Sequence, residues 1–481
     1  MFRRTKIVAT VGPASSSEEA LAALMEAGAD VFRLNFSHGS QEEKGVLIQR
    51  IRQLSKQRRQ AVAILGDLQG PKIRVGRLPG DSINLEDGQQ ITLSVHPQPE
   101  DGWIPVDYPE LPQDVRPGDR ILLDDGLLEL RAEQVEASEV RCRVVYGGLL
   151  KSRKGINLPG VDVSVPALTP KDHEDLKFCI AREVDYVALS FVRRAADIHK
   201  VKEILFSEKS DIHVVAKIEK PEAVEDFDAI LEASDGIMIA RGDLGVEMSA
   251  EKVPLIQKRI IRKCNEWGKP VITATQMLES MVEHPRPTRA EISDVANAIL
   301  DGTDAIMLSA ETASGHHPVE AVRVMVRTAQ DVEGDPLLQQ TAYHAIPEYR
   351  GYRRLPEAIG QAACNVAEQL GAGAILAFTQ TGSTAALVAK YRPPVPIYAV
   401  TPSHIVRRRM ALYAGVRSLR VDIQGDTEAQ IRRVEEAVLS AGVLEKGDVV
   451  VITMGSPVST PGTTNLMKVH RIGTGNFYEV H

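Results

Sequence analysis

The 481 residues carry 57 Lys and Arg against 65 Asp and Glu, a formal net charge of −8, and only 4% are aromatic. That balance argues against a nucleic-acid surface or a base-stacking platform. The 43% apolar and 25% charged fractions fit an ordinary globular chain of about two to four domains.

The four cysteines, Cys142, Cys179, Cys264 and Cys364, are too scattered for a zinc site or a disulfide framework. No apolar run approaches the roughly 20 residues that span a bilayer, so no membrane is expected. Residues 1–5 lead straight into a strand without a signal-peptide pattern, and a reducing cytoplasm is the expected location.

In chain order, residues 5–10 read as a strand, turned by Gly12-Pro13. Serines at 15–17 can cap a helix over Glu18–Ala27, with Gly28 at its C-terminal end. In the next segment Phe32, Leu34 and Phe36 alternate with Arg33, Asn35 and Ser37, which gives a strand one apolar and one polar face. An ordinary amphipathic strand would look similar, but Arg, Asn and Ser at a strand's C-terminal end suit ion binding better. A helical segment over Gln41–Gln57 precedes an apolar strand at 61–65, which runs into Gly66-Asp67-Leu68-Gln69-Gly70-Pro71-Lys72.

There the alternation stops. Between about 75 and 168, short strands at 90–95, 120–123 and 140–145 are punctuated by Gly, Pro and Asp, as in an inserted all-β module. It closes on a basic, glycine-bearing loop at 151–160, either simply solvated or facing phosphates.

The alternation then resumes, with strands expected at 186–191, 214–218, 236–240, 270–274 and 304–308 and helices between them, including 195–206 and 253–266. Two stretches dominate. In 214–220, Val215, Lys217 and Glu219 share one strand face. In 237–247, an apolar run ends in Arg241-Gly242-Asp243, where glycine lets backbone N–H groups approach an anion and Asp243 can hold a divalent metal through oxygen. A salt bridge at a barrel rim is the other reading.

With the three earlier strands there are eight β-α units, the count of a (β/α)8 barrel, whose chemistry sits at the C-terminal strand ends. The polar clusters fall there: Arg33/Asn35/Ser37, Asp67, Lys217/Glu219, Arg241/Asp243, Thr275/Gln276 and Ser309/Glu311.

A third region begins near residue 343. A helix at 356–369 precedes a strand at 374–378, and Thr379-Gln380-Thr381-Gly382-Ser383-Thr384 then opens a helix. A glycine- and hydroxyl-rich loop at a helix start can cradle phosphate; a capped turn is the alternative. A second threonine-rich loop, 459–465, follows a strand at 449–453.

The runs 5–15, 33–39, 216–219, 240–247, 293–297 and 307–312 resemble pyruvate kinase, over essentially the whole chain and most closely the bacterial members without an extra C-terminal extension. The resemblance implies a (β/α)8 barrel over 1–69 and 168–342, a β-barrel cap over 70–167, and an α/β allosteric domain over 343–481. It implies phosphoryl transfer from phosphoenolpyruvate to ADP, giving pyruvate and ATP at the last step of glycolysis.

By the same resemblance, Glu219 and Asp243 are expected to ligate Mg2+ or Mn2+. Lys217 and Arg33 are expected to meet the transferring phosphoryl, and Gly242, Asp243 and Thr275 the substrate carboxylate. Thr275 and Ser309 would lie near the proton path, and His38, Arg74, Lys154 and Asn35 near the nucleotide. Asn35, Ser37, Asp67 and Leu68, the last through its carbonyl, resemble the monovalent-cation site. Lys72 stands where most members have glutamate, which implies that potassium is not required.

Thr379, Thr381, Gly382, Ser383 and Thr384 are expected to hold a phosphorylated effector, a sugar phosphate or AMP, in a homotetramer. Two other classes compete: a metal-dependent lyase or aldolase on an enolate, and an inactive sugar-phosphate sensor.

Overall fold

Eight parallel strands close into a barrel: Lys6–Val11, Val31–Asn35, Ala63–Asp67, Tyr186–Leu189, His213–Ile218, Gly236–Ala240, Val271–Ala274 and Ala305–Leu308, each paired with its sequence neighbour and the last with the first. This computed structural model describes residues 2–96, 102–335, 354–422, 425–455 and 464–473. The strands are nearly all buried because both of their faces are covered. Val8, Val31, Leu65, Val215, Met238, Ile272 and Met307 fill the interior. The residues between them, such as Ile64, Val214, Ile237 and Ile239, pack outward against the helices.

The pleat therefore dictates what reaches the top of the barrel. The inward row of the fifth strand runs from Val215 to Lys217, and that of the third from Leu65 to Asp67. At the other rim, Asp30, Asp185, Asp235 and Asp304 stand just before the second, fourth, sixth and eighth strands. Their carboxylates accept the N–H groups of Ile7, Ile64, Val214 and Val271 at 2.9, 2.8, 2.8 and 3.1 Å. Each ties an odd strand to its even successor or neighbour, satisfying donors that the ladder leaves over.

The inserted segment forms its own six-stranded sheet, in the order Ile156–Asn157, Arg120–Leu123, Leu128–Val135, Glu139–Tyr146, Gln90–Ser94 and Ile104–Pro105, with a two-stranded ribbon of Ser82–Leu85 and Gly148–Lys151. Its apolar cluster runs from Val75 to Val161, separate from the barrel's. Val140, Cys142 and Val144 are buried between exposed Arg141 and Arg143, as the alternation requires. The chain leaves the barrel at Gly70, with φ +67°, where a Cβ would lie 2.8 Å from the Phe191 ring.

The C-terminal unit is a five-stranded sheet, Val416–Arg420, Ile397–Thr401, Ala374–Phe378, Val449–Met454 and Leu466–Arg471, with only the last strand antiparallel. Its short turn of helix Met410–Leu412 plugs the lower mouth of the barrel. Ala411 and Leu412 join the interior core, and the Tyr186 hydroxyl donates to the Arg409 carbonyl at 2.8 Å. Arg408 and Arg392 reach Asp185 and Asp304, both at 2.7 Å.

Most expected elements stand within two residues of their sequence reading. The fourth barrel strand stops at Leu189, because Ser190 and Phe191 turn away, Phe191 with φ +54°. The stretch after the sixth strand is a short helix, Arg241–Glu247, which its two glycines had concealed.

Candidate active site

Three strand ends, the third, fourth and fifth, converge on one buried ammonium. The Lys217 Nζ lies 2.9 Å from Glu219 Oε1, 3.4 Å from Asp67 Oδ1 and 2.7 Å from the Ser190 hydroxyl. Burial alone would lower its pKa, but Asp67 and Glu219 outweigh it and hold the lysine firmly charged. Asp67 shows the reverse. Burial pushes its carboxyl up, and Lys217 and Arg33 bring it below the usual carboxylate range. The Arg33 Nε donates to Asp67 at 2.6 Å and its Nη1 to the Thr10 hydroxyl at 3.1 Å.

Glu219 is 1% exposed, and its other oxygen accepts the Phe191 N–H at 2.7 Å. Its pKa is raised, first by burial; Lys217 opposes this, and the facing Asp243 carboxylate adds to it. Asp243 is half-buried and makes no hydrogen bond or ion pair among the described residues. A buried carboxylate whose proton affinity is raised in part by a second, otherwise unengaged carboxylate forms with it a donor pair that fits a divalent cation.

Beside them, Thr275 and Gln276 take left-handed backbone conformations, φ +66° and +54°. For a β-branched residue this is costly and must be held from outside. Arg241 does so. It is 9% exposed, donates to the Thr275 carbonyl at 2.7 Å, and is fixed by Asp294 at 2.7 Å. The turn points the Thr275 hydroxyl at the Gly242 N–H, 2.8 Å away. Ser309 ends the eighth strand with its N–H held by Glu311 at 2.7 Å, and its buried hydroxyl oxygen has no partner among the described residues.

Three of the four expected monovalent-site residues, Asn35, Asp67 and Leu68, have their oxygens engaged internally. Asn35 Oδ1 accepts the Ser37 N–H at 3.0 Å, the Leu68 carbonyl accepts the Ser190 hydroxyl at 2.8 Å, and Asp67 is taken by Arg33 and Lys217. Lys72 lies at the entrance to the cap with no ion pair among the described residues. The missing side chain of Gly155 leaves room for it, since a Cβ there would stand 3.3 Å from Lys72 Cε. His38 is exposed, and its pKa is lowered by partial burial and then by Arg74, Lys44, Lys72 and Arg33, a strongly cationic corner. Arg74 donates to the Arg153 carbonyl at 3.0 Å, and Lys154 pairs with Asp124 of the cap at 2.7 Å.

In the C-terminal unit, Gly382 sits at φ +94°, and a Cβ there would fall 2.6 Å from Met410 Cε. Thr379 accepts the Gly382 N–H at 2.8 Å, while Thr381 and Ser383 are exposed. Thr384 bonds Thr464 at 2.9 Å, which joins the two threonine-rich loops; residues 459–463 of the second lie outside the described residues.

Ser190 was missed by sequence reasoning, although it ends an apolar strand exactly as the other site residues do. Thr10, Phe191 through its N–H, and the Arg241–Asp294 support were also missed as site contributors, because their roles depend on cross-barrel neighbours. No helix among the described residues is long and apolar enough to cross a membrane.

A barrel with cationic and metal-fitting groups at its strand ends, an inserted β cap and a C-terminal α/β unit has the charge arrangement that suits a phosphotransferase. Residues 2–322 match the family profile described as pyruvate kinase, barrel domain, and residues 357–470 the one described as pyruvate kinase, alpha/beta domain. The chain is 48% identical over 482 residues to a pyruvate kinase of Geobacillus stearothermophilus, covering 98% of this chain and 81% of that protein. It is 48% identical to pyruvate kinase 2 of a Synechocystis strain, covering 97% and 79%, and 46% identical to a pyruvate kinase of Staphylococcus aureus, covering 98% and 81%. The chain belongs to the pyruvate kinase family and is a phosphotransferase.

Proposed function

We propose that the chain transfers the phosphoryl group of phosphoenolpyruvate to ADP, giving pyruvate and ATP as the last step of glycolysis in the cytoplasm. The observation that carries this reading is the charged Lys217, buried between Asp67 and Glu219 and flanked by Arg33. Loose phosphoryl transfer needs positioning and charge neutralisation rather than a protein nucleophile. Lys217 and Arg33 neutralise the transferring group, and the Gly242 and Asp243 amides with Thr275 orient the substrate carboxylate. Glu219 and Asp243 would hold Mg2+ or Mn2+, which when bound supplies a compact positive charge to phosphoryl and enolate oxygens. The unpartnered Ser309 hydroxyl and Thr275 line the route by which a proton reaches the enolate carbon. His38, Arg74, Lys154 and Asn35 contribute to the nucleotide side.

Three finer parts belong to this reading. The domain limits are 1–69 and 168–342 for the barrel, 70–167 for the cap and 343–481 for the allosteric unit; the separate apolar cluster of the cap supports them. Lys72 replaces a monovalent cation, which the internal engagement of Asn35, Asp67 and Leu68 supports. Thr379, Thr381, Gly382, Ser383 and Thr384 take the phosphate of an effector, a sugar phosphate or AMP, in a homotetramer. The contact of Gly382 with Met410, the first residue of the barrel plug, supports a coupling between that loop and the barrel.

The test is incubation with phosphoenolpyruvate and a divalent cation, with and without ADP. Pyruvate and ATP in equal amounts, both requiring ADP, are expected. Pyruvate released without ADP would point to the lyase reading, and no turnover would point to the sensor.

A further inference from the structure

The cap and the barrel meet at one carboxylate. Glu247 closes the short helix Arg241–Glu247, one turn beyond Asp243. Its Oε1 accepts from the Asn157 side-chain amide of the cap at 2.8 Å and from the Lys220 ammonium at 2.7 Å. Glu247 is 4% exposed, and its Oε2 is buried with no partner among the described residues. Lys220 follows directly on Glu219, so both partners of this pair on the barrel side are next to metal-fitting residues. The neighbouring Val246 receives the cap as well, with Gly126 of a cap turn packed against it. The pair borders a narrow cleft, lined also by Lys72 and Ile156 of the cap and by Phe191, Arg193 and Asp243 of the barrel.

We infer that Glu247 and Asn157 form a positioning latch: the cap is held down through the same seven-residue helix that presents Gly242 and Asp243 to the substrate. A rigid helix that ends in a cap contact transmits cap position to its first turn, because a short helix moves as one body. Lys220 holds the Glu247 carboxylate in place at 2.7 Å, and the Asn157 amide reads it. Opening the cap therefore strips Glu247 of its cap donor, and the loss of that charge-assisted bond biases the equilibrium toward closure. This inference rests on the phosphotransferase reading for its kinetic consequences but not for its geometry.

The experiment uses the full chain with nitroxide labels at Leu127 of the cap and Phe206 of the barrel, which are 74% and 86% exposed; all four native cysteines are buried. The cap-to-barrel distance distribution is recorded without turnover for wild type, Asn157→Ala and Asn157→Asp. The substitution to aspartate keeps the shape of asparagine but turns the donor into an acceptor that faces Glu247. The charged groups around that position are Glu247 and Lys220, with Lys72, Arg193 and Asp243 in the same cleft.

A charge-assisted bond predicts a shift toward the open cap of roughly tenfold in population for Asn157→Ala. Asn157→Asp is expected to be more open still at pH 8 and to close again toward pH 5.5, where a protonated carboxyl can donate. Both variants should raise KM for nucleotide with kcat changed less. Packing alone would leave Asn157→Asp like wild type and make Asn157→Ala the worse of the two; that order, or unchanged distances in both, overturns the latch. Open distances with unchanged KM overturn its link to the site, and absence of turnover in wild type overturns the function reading while the distances still judge the latch.

Discussion

Lys217→Met removes the one ammonium that serves two carboxylates, each 1% exposed. Asp67 retains Arg33 at 2.6 Å, but Glu219 keeps only the Phe191 N–H at 2.7 Å. An uncompensated buried charge costs about 3–5 kcal/mol, a large share of a typical folding free energy of about 5–15 kcal/mol. In the transition state, loss of a preorganised charge costs about 3 kcal/mol or more, roughly 150-fold in rate. The methionine variant is therefore expected to lose both activity and stability, the latter relieved as acid protonates Glu219. Lys217→Arg separates the two effects: it keeps the charge, and with it the melting temperature to within a few degrees, but cannot reproduce the compact 2.7–3.4 Å contacts with Ser190, Glu219 and Asp67. Initial rates and thermal melts of both variants decide the matter. Activity within tenfold of wild type in Lys217→Met would refute the assigned role, and a collapsed melting temperature in Lys217→Arg would refute the charge argument.

Glu219→Gln and Asp243→Asn each remove a hard anionic oxygen, so half-maximal Mg2+ in an activity titration should rise by roughly tenfold or more; an unchanged titration excludes that residue from the metal. Lys72→Glu should lower the rate and create a potassium requirement, since one unit charge at about 4 Å is worth roughly 4 kcal/mol at an effective dielectric near 20; in tetramethylammonium salts the wild type should gain less than about tenfold from added potassium. Thr381→Glu places a fixed anion in the loop that opens the helix Ser383–Ala389, and should weaken activation by phosphorylated effectors; an undiminished response removes the site. His213, at the barrel's lower end, has its pKa pushed down to about 4 by burial and by Arg409, against Asp235 and Asp211, with Lys202 adding to the fall. The unfolded chain then binds the extra proton first, so this contribution is complete above about pH 6.5 and is lost on acidification, by about 1 kcal/mol between pH 7 and 5.5. His213→Gln should flatten that limb in denaturant titrations, and an unchanged slope contradicts it.

The barrel was legible because its signals are local. Apolar runs of strand length, helix caps such as Ser17, and polar residues at the end of each run all stand in the chain order. The inward row Val215–Lys217 followed from the pleat alone. The cap was only partly legible: three of its eight strands were read, since two-residue strands such as Ile156–Asn157 and the ribbon of Ser82–Leu85 with Gly148–Lys151 owe their existence to pairing partners far away in sequence. For the same reason Ser190 and Thr10 escaped notice. Each is an ordinary hydroxyl until Lys217 and Arg33, from other strands, reach it. The helix Arg241–Glu247 contradicts local propensity, and its first turn is held by tertiary contacts to Thr275 and Asp294.

The most direct measurement is a single turnover with enzyme in excess over phosphoenolpyruvate labelled in its phosphoryl group, quenched in the presence of ADP and Mg2+. Direct transfer at the Lys217–Glu219–Asp243 centre predicts that the label appears in the terminal phosphoryl of ATP, with none on the protein, and that Lys217→Met slows this step by roughly 150-fold or more. Label recovered as inorganic phosphate or as a phosphoprotein would contradict it.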